Sequence, residues 1–356
     1  MKELKLMKGN EALAEAAIRA GCDAYFGYPI TPQSEVLEYL SREAHARTGM
    51  IVLQAESEVA SINMVYGAAG TGKKIMTSSS SPGMSLMQEG ISYIACAELP
   101  CLLVNVNRGG PGLGTIQPGQ GDYFQSVKGG GHGDYKLIVL APATVQEMSD
   151  FVKEGFELAF KYRNPVLILT DGALGQMMEK VELFPQQERK FERLDWALTG
   201  KPKDKPKNVI TSLNLKADEM EITNLRLQAK YREIEKNEIR YEAIDCEDAD
   251  YIITAYGLVA RICTKAAQMA REKGIKVGVL RPISLFPFPY HVINDYAGKA
   301  QGILDVEMNA GQMVEDVRLA VNGKVPVEFY GRMGGIIPAP DEILKALEEK
   351  LVGVTV

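Results

Sequence analysis

Residues 51–83, IVLQAESEVASINMVYGAAGTGKKIMTSSSSPG, decide how the rest of the chain is read. An apolar run, 51–53, leads into Glu56 and Glu58 at the head of a segment rich in small residues. From 58 to 72, Ala and Gly recur at close intervals, which lets another backbone or a flat ligand approach. Residues 74–77 then read as a short strand, and 78–83 as a hydroxyl-rich loop opening the next helix. An acidic residue entering a small-residue helix, followed by strand and polar turn, is the pattern of a cofactor-binding βαβ unit.

Upstream, 8–20 is an amphipathic Ala-rich helix with Asn10 placed to cap it and Gly21 to stop it. A short strand, 24–27, turns through Tyr28-Pro29-Ile30-Thr31-Pro32 into a helix over 33–46. Pro32 suits the first turn of that helix, which makes Thr31 its N-cap. Downstream, a helix over 85–97 precedes a buried strand at 99–105, and Arg108 stands just past that strand's carboxyl end. Two Gly-rich loops follow, 109–114 and 129–134, the second containing His132; such loops mean mobile backbone near a site rather than core. Strand 137–141, helix 144–161 and strand 165–170 complete an alternation that indicates a doubly wound parallel sheet.

Residues 185–245 are more charged, with a linker-like run at 201–207 (KPKDKPK). A long polar helix over 217–241 carries sparse apolar positions at Met220, Leu225, Leu227 and Ile234, and reads as an interdomain connector, more extended than packed. A second α/β unit begins near Ala249 and runs through strands at 251–255, 276–280, 302–307 and 326–330. The expected organisation is thus a first doubly wound α/β domain at 1–185, a charged connector at 186–245 and a second α/β domain at 246–356.

The chain has 356 residues, too long for one typical core, with 46% hydrophobic and 24% charged residues and a net charge of −6. That acidity argues against nucleic acid or an anionic membrane as partner. No apolar stretch approaches the ~18 residues of a membrane span and no secretory leader pattern opens the chain, so the cytoplasm is expected. The five cysteines show no CxxC pairing, which argues against zinc or an iron–sulfur cluster held by this chain alone. No metal ligands are assigned.

Each candidate residue has an ordinary reading beside a functional one. The stretch 67–73 matches most of a phosphate-binding loop, but Lys74 stands where Ser or Thr is needed and the order of helix and strand is reversed. Its glycines end the helix. Glu58 is either a carboxylate favoured by a helix N-terminus or a buried acid–base group. Arg108 is either a surface charge or a bidentate clamp for a carboxylate. Thr31 is a cap or a ligand contact at a strand-to-helix turn, and His132 is a loop histidine or a proton shuttle.

Taken together, YPITPQSE (28–35), QAESEVASINMVYGAA (54–69), LVNVNRGGPGLGT (103–115), GLVARICTKAA, LRPISLFPFP and DVEMNAGQ resemble the α subunits of the 2-oxoacid:ferredoxin oxidoreductases. The resemblance covers nearly the whole chain. It implies that the first domain is the pyrimidine-binding domain of a thiamine enzyme and the second a transketolase C-terminal-like domain. Carried over by position, Glu58 is the carboxylate that bonds the aminopyrimidine and promotes its imino tautomer. Thr31 touches substrate and thiamine, with Pro29 and Ile30 beside it on the cofactor, and Arg108 binds the substrate carboxylate.

The chain lacks the Gly-Asp-Gly…Asn arrangement that holds Mg²⁺ and diphosphate in thiamine enzymes; Asp171-Gly172 does not fit it. The resemblance therefore implies half an active site. A β subunit would supply diphosphate binding, Mg²⁺ and a [4Fe–4S] cluster, with a small ferredoxin-like subunit, ferredoxin as electron acceptor and coenzyme A as acyl acceptor. Among 2-oxoacids, 3-methyl-2-oxobutanoate is preferred and 2-oxoglutarate comes next. A lipoamide-linked dehydrogenase subunit, a stand-alone decarboxylase and a non-catalytic scaffold are the alternatives.

Overall fold

The computed structural model describes residues 3–189, 193–201, 203 and 206–353. Its strands are β1 (Glu3–Lys8), β2 (Ala24–Gly27), β3 (Ile51–Gln54), β4 (Ile75–Ser79), β5 (Leu102–Asn107), β6 (Ile138–Leu140), β7 (Val166–Asp171), β8 (Met178–Leu183), β9 (Tyr241–Ile244), β10 (Tyr251–Thr254), β11 (Val277–Pro282), β12 (Ser284–Phe286), β13 (Gly302–Glu307) and β14 (Val327–Gly331). The α-helices are α1 (Gly9–Arg19), α2 (Ser34–Thr48), α3 (Glu58–Ala69), α4 (Ser81–Cys96), α5 (Val145–Tyr162), α6 (Gly172–Gln176), α7 (Ala217–Asn237), α8 (Gly257–Glu272), α9 (Tyr290–Ala297), α10 (Met313–Val321) and α11 (Pro340–Leu347). One sheet has the order β12-β6-β7-β5-β4-β2-β3 and a second β14-β13-β10-β11-β9, with β1 and β8 forming a separate antiparallel ribbon. Both large sheets are parallel except at β12 and β9. This is the doubly wound α/β class read from the sequence.

Strands β4, β5 and β7 are buried along their whole length. Helices cover both faces there, which is why their sequences run apolar without alternation. The edge strand β3 differs: Ile51 and Leu53 are 55% and 41% exposed.

The turn before α2 departs from the expected capping. The helix begins at Ser34, and neither Thr31 nor any other side chain caps it. Gln33 is instead fully buried, its amide oxygen accepting from the Ser78 hydroxyl at 2.6 Å. The Pro32 carbonyl accepts from Asn10 Nδ2 at 2.8 Å, so Asn10 ties this turn to α1 rather than capping α1 itself. Long-range polar contacts have displaced the local ones.

Helix α7 is also more embedded than its polar sequence suggests. Leu227, Tyr231 and Ile234 lie in the same core as the first sheet, and Arg226 and Lys230 reach Glu98 at 2.8 and 3.3 Å. The three buried positions follow helical spacing closely, a stripe too narrow to stand out among charged neighbours. From the linker-like run, Pro202, Asp204 and Lys205 lie outside the described residues.

Sheet order places the site. In the first sheet, β3 and β4 flank β2 on opposite sides. The chain leaves β2 and β4 in opposite directions, which opens a crevice at the carboxyl edge where such sheets take ligands. The second sheet has the same reversal around β10, but Gln120 of the first half fills it. Gln120 Nε2 donates to the Tyr256 carbonyl at 3.0 Å, and its Oε1 accepts from the Met308 amide at 2.9 Å. The Gln120 carbonyl accepts from Asn309 Nδ2 at 2.9 Å.

Asp171, at the carboxyl end of β7, caps α6 by accepting from the amides of Ala173 and Leu174 at 2.8 and 3.1 Å. Burial pushes its carboxyl up from 3.8 to about 6, against the lowering effect of those two amides. The folded chain therefore holds this proton more tightly than the unfolded one. The associated stability is complete below about pH 4 and is lost as pH rises through about 6. Asp171→Asn keeps an accepting oxygen for the cap and removes the titration. Chemical denaturation should show the variant more stable than the parent at neutral pH by on the order of 2 kcal/mol, with the difference vanishing near pH 4.

Candidate active site

Glu58 is the first residue of α3, whose N-cap hydroxyl on Ser57 accepts from the Ala60 amide at 3.2 Å. Its side chain is buried, with 5% exposure, and no hydrogen bond or ion pair engages its carboxylate among the described residues. Glu56, two residues earlier, is exposed. Gly83, in the first turn of α4, packs directly against this carboxylate. A Cβ at Gly83 would stand 2.6 Å from Glu58 Oε1 and would overlap the Ser79 hydroxyl, so any larger residue must displace one of them.

The neighbouring strand ends carry an unusual set of polar groups. The hydroxyls of Thr77, Ser79 and Ser80, Nδ2 of Asn107 and Nε of Arg108 are buried and unpartnered among the described residues. Buried polar atoms without partners cost about 1–3 kcal/mol each, so their gathering at one strand edge marks a place shaped for a polar ligand. The N-termini of α3 and α4 both open onto it.

Arg108 is 7% exposed, which removes the reading as a surface charge. Its Nη1 donates to the Thr31 carbonyl and its Nη2 to the Leu113 carbonyl, both at 2.8 Å. A guanidinium has five N–H groups, so Nε and one hydrogen on each terminal nitrogen remain. The Arg108 amide donates to the Ser81 hydroxyl at 3.1 Å, and Ser81 in turn reaches Asn107 Oδ1 at 3.3 Å. Arg108 thus joins the β2 turn to the Gly-rich loop. Pro29 and Thr31 are exposed in that turn and Ile30 is half-buried. The structure therefore gathers Pro29, Ile30, Thr31, Glu58 and Arg108 along one carboxyl edge, on strand ends about 4.8 Å apart from neighbour to neighbour.

His132 is elsewhere. Its Nδ1 lies 3.5 Å from the Ser92 hydroxyl, and Ser92 is roughly 16 Å along α4 from Ser81. Sequence reasoning misses Asp122, which accepts from Asn105 Nδ2 at 2.8 Å and whose carboxyl burial pushes up. The signal for this neighbourhood was Asn105 and Asn107 within an otherwise apolar buried strand.

A pyrimidine-type cofactor fits these residues: an unpaired buried carboxylate, a glycine-floored contact beside it and unpartnered donors around it. The fold and site define the pyrimidine-binding half of a thiamine enzyme, joined to a second α/β unit. The family model described as pyruvate flavodoxin/ferredoxin oxidoreductase, thiamine diphosphate-binding, matches residues 15–247, and the pyruvate:ferredoxin oxidoreductase core domain II matches 249–343. The chain belongs to the thiamine-dependent 2-oxoacid:ferredoxin oxidoreductase family.

It is 51% identical to the ketoisovalerate oxidoreductase subunit VorB of Methanothermobacter thermautotrophicus, over 97% of each chain. It is 36% identical to the 2-oxoglutarate synthase subunit KorA of Archaeoglobus fulgidus, over 98% of this chain and all of that one. Among solved structures, the 2-oxoglutarate:ferredoxin oxidoreductase of Magnetococcus marinus superposes with a TM-score of 0.85 at 28% identity. The match covers 98% of this chain and 65% of that one. A split-gene transketolase shares the fold at a TM-score of 0.61 and 14% identity. No helix among the described residues is long and apolar enough to cross a membrane.

Gly83→Ala tests the packing at Glu58. The added methyl must displace the Ser79 hydroxyl or the Glu58 carboxylate, which outweighs the ~1 kcal/mol gained in helix propensity. Denaturant midpoints should show a net loss of about 1–3 kcal/mol, recovered in part by Ser79→Ala in the same chain.

Proposed function

We propose that this chain is the α-type subunit of an oxidoreductase that converts 3-methyl-2-oxobutanoate and coenzyme A to acyl-CoA and CO₂, passing electrons to ferredoxin. The observation that carries the reading is Glu58: a buried carboxylate with no partner among the described residues, packed against a glycine whose replacement would have to displace it. The identity of 51% to a ketoisovalerate subunit, against 36% to a 2-oxoglutarate subunit, favours the branched-chain acid. Family membership sets aside the lipoamide-linked alternative.

Thiamine diphosphate, when bound, supplies the electron sink that decarboxylation of a 2-oxoacid needs. Glu58 would hold a pyrimidine ring nitrogen of the cofactor by a hydrogen bond and govern the proton at that atom. Thr31, Pro29 and Ile30 would line the side of the crevice that takes the ring. Arg108 offers its remaining N–H groups to the substrate carboxylate and so orients the oxo group. A partner subunit supplies diphosphate and Mg²⁺ binding and a [4Fe–4S] cluster, and a small ferredoxin-like subunit completes the assembly.

Glu58→Gln should assemble normally with the partner subunits yet lose about 10²–10⁴ in turnover. Exchange of the thiamine C2 proton, followed by NMR in the assembled enzyme, should slow in parallel, while Glu56→Gln leaves it near the parent rate. Parent-like exchange in the Glu58 variant would refute the assignment.

Arg108→Lys keeps the charge and loses the planar fork. If the fork meets the substrate carboxylate, kcat/KM for the oxoacid falls roughly 30- to several-thousand-fold, the equivalent of about 2–5 kcal/mol, whereas the KM for coenzyme A barely changes. A role confined to tethering the Thr31 and Leu113 carbonyls would instead lower the thermal midpoint and leave kcat/KM for the oxoacid close to the parent.

A further inference from the structure

At the end of α4 remote from Glu58, the C-termini of α4 and α5 meet, and three cations gather around one carboxylate. Arg226 Nε lies 2.8 Å and Lys230 Nζ 3.3 Å from the Glu98 carboxylate. Arg163 Nε donates to the Glu98 carbonyl at 3.2 Å, and Lys230 donates to the Arg163 carbonyl at 3.1 Å. The Arg163 guanidinium lies over the Trp196 ring, 4.5 Å from its centroid, and pairs with no carboxylate among the described residues. An open cleft of roughly 430 Å³ runs between Glu98, Arg163, Trp196, Asn208 and Arg226. The Asn208 amide fixes the wall, donating to the carbonyls of Asp195 and Ala197 at 2.6 and 3.0 Å.

The charges do not balance. Two helix C-termini contribute roughly half a negative charge each, so with Glu98 they leave an excess of about one positive charge. This stands out in a chain whose net charge is −6. Burial pushes the Lys230 ammonium down to about 8 even though Glu98 supports its charge, and Arg163 and Arg226 push in the same direction. Burial lowers Arg163 as well, with Arg226 adding to the effect. Glu98 and Arg163 also hold left-handed backbone, with φ of 52° and 47°, two of only four such non-glycine residues among those described. Both close their helices: the Leu99 amide donates to the Ile94 carbonyl and the Asn164 amide to the Ala159 carbonyl, each at 3.1 Å.

We propose that this cleft binds the phosphoryl group of a small phosphorylated ligand. The terminal N–H groups of Arg163 and Arg226 match phosphate oxygens, and an arriving anion relieves the repulsion among the three cations. The cleft volume falls in the ~300–1,000 Å³ range of small-molecule sites. It lies ~24 Å along α4 from the Glu58 crevice, so the two sites are separate.

Trp196 is the only tryptophan of the chain, so its fluorescence reports the cleft directly. The full-length chain is titrated with inorganic pyrophosphate, with a nucleoside triphosphate and with sulfate, and calorimetry is run in parallel. Saturable pyrophosphate binding is expected, weakened about tenfold by Arg226→Gln and further by Arg163→Met, and unchanged by Glu58→Gln. The Arg226 side chain is 58% exposed, so its replacement leaves the fold standing, as an unchanged thermal midpoint will verify. Tighter binding of the nucleoside triphosphate supports a site that also reads a planar ring; equal binding supports recognition of the phosphoryl group alone. Absence of saturable binding, sulfate binding as tightly as pyrophosphate, or parent-like affinity in Arg226→Gln would overturn the proposal.

Discussion

Gln120 holds the two halves of the molecule together through main-chain groups that the second sheet leaves open at its strand ends. Its side chain meets Tyr256 and Met308, and its backbone meets Met308 and Asn309. The stretch from 108 to 121 is therefore fixed at both ends, at one by Gln120 and at the other by Arg108 on the carbonyls of Thr31 and Leu113. Next to Arg108, Gly109 and Gly335 approach so closely that a Cβ on Gly109 would stand 3.0 Å from backbone atoms of 334 and 335. The second unit does not contribute its own crevice. It serves as the abutment against which the Arg108 loop is set.

Two buried glutamates show how the same side chain is put to different uses. Glu307 is fully buried and accepts from the amides of Gln312, Met313 and Val314 and from Asn309 Nδ2. Its lone pairs are satisfied and it fixes the start of α10. Glu58 is nearly as buried and accepts no hydrogen bond among the described residues. A buried carboxylate without donors is costly unless a ligand supplies them. The neighbour Asp305 shows the alternative remedy: burial, with the charge of Glu307 adding to it, pushes its carboxyl well above the usual range.

Much of this was legible in the sequence because it rests on local rules. Strand β7 ends where its apolar run ends, α5 begins at a threonine that caps it, and Gly21 takes the left-handed conformation expected of a helix stop. The phrases around Thr31, Glu58 and Arg108 set all three just past strands of the first sheet, where the structure has them. What escaped notice depends on contacts distant in sequence. The burial of Gln33 comes from Ser78 and the place of Asn10 from Pro32, neither of which a helix-capping rule contains. The serine run 78–81 read as a turn, yet Ser79 and Ser80 are wholly buried and Ser81 links two strand ends. Strands β1 and β8 pair across 170 or more residues, and β1 leaves Leu4 and Leu6 exposed, so neither strand announced itself by alternation.

Strand β12 comes from the second matched segment, 249–343, but hydrogen-bonds to β6 in the first sheet. Just before it, β11 belongs to the second sheet, so within a few residues the chain passes from one sheet to the other. The Arg281 side chain reinforces the crossing through Glu147 at the start of α5 and the Ala141 carbonyl. The boundary drawn by sequence families therefore does not follow a mechanical seam. Cutting the chain between the two segments would strip β6 of its outer neighbour and leave a bare edge on the first sheet. Shuffling either segment into another protein would have to carry that strand along, and the pair behaves as one inheritable part rather than two modules.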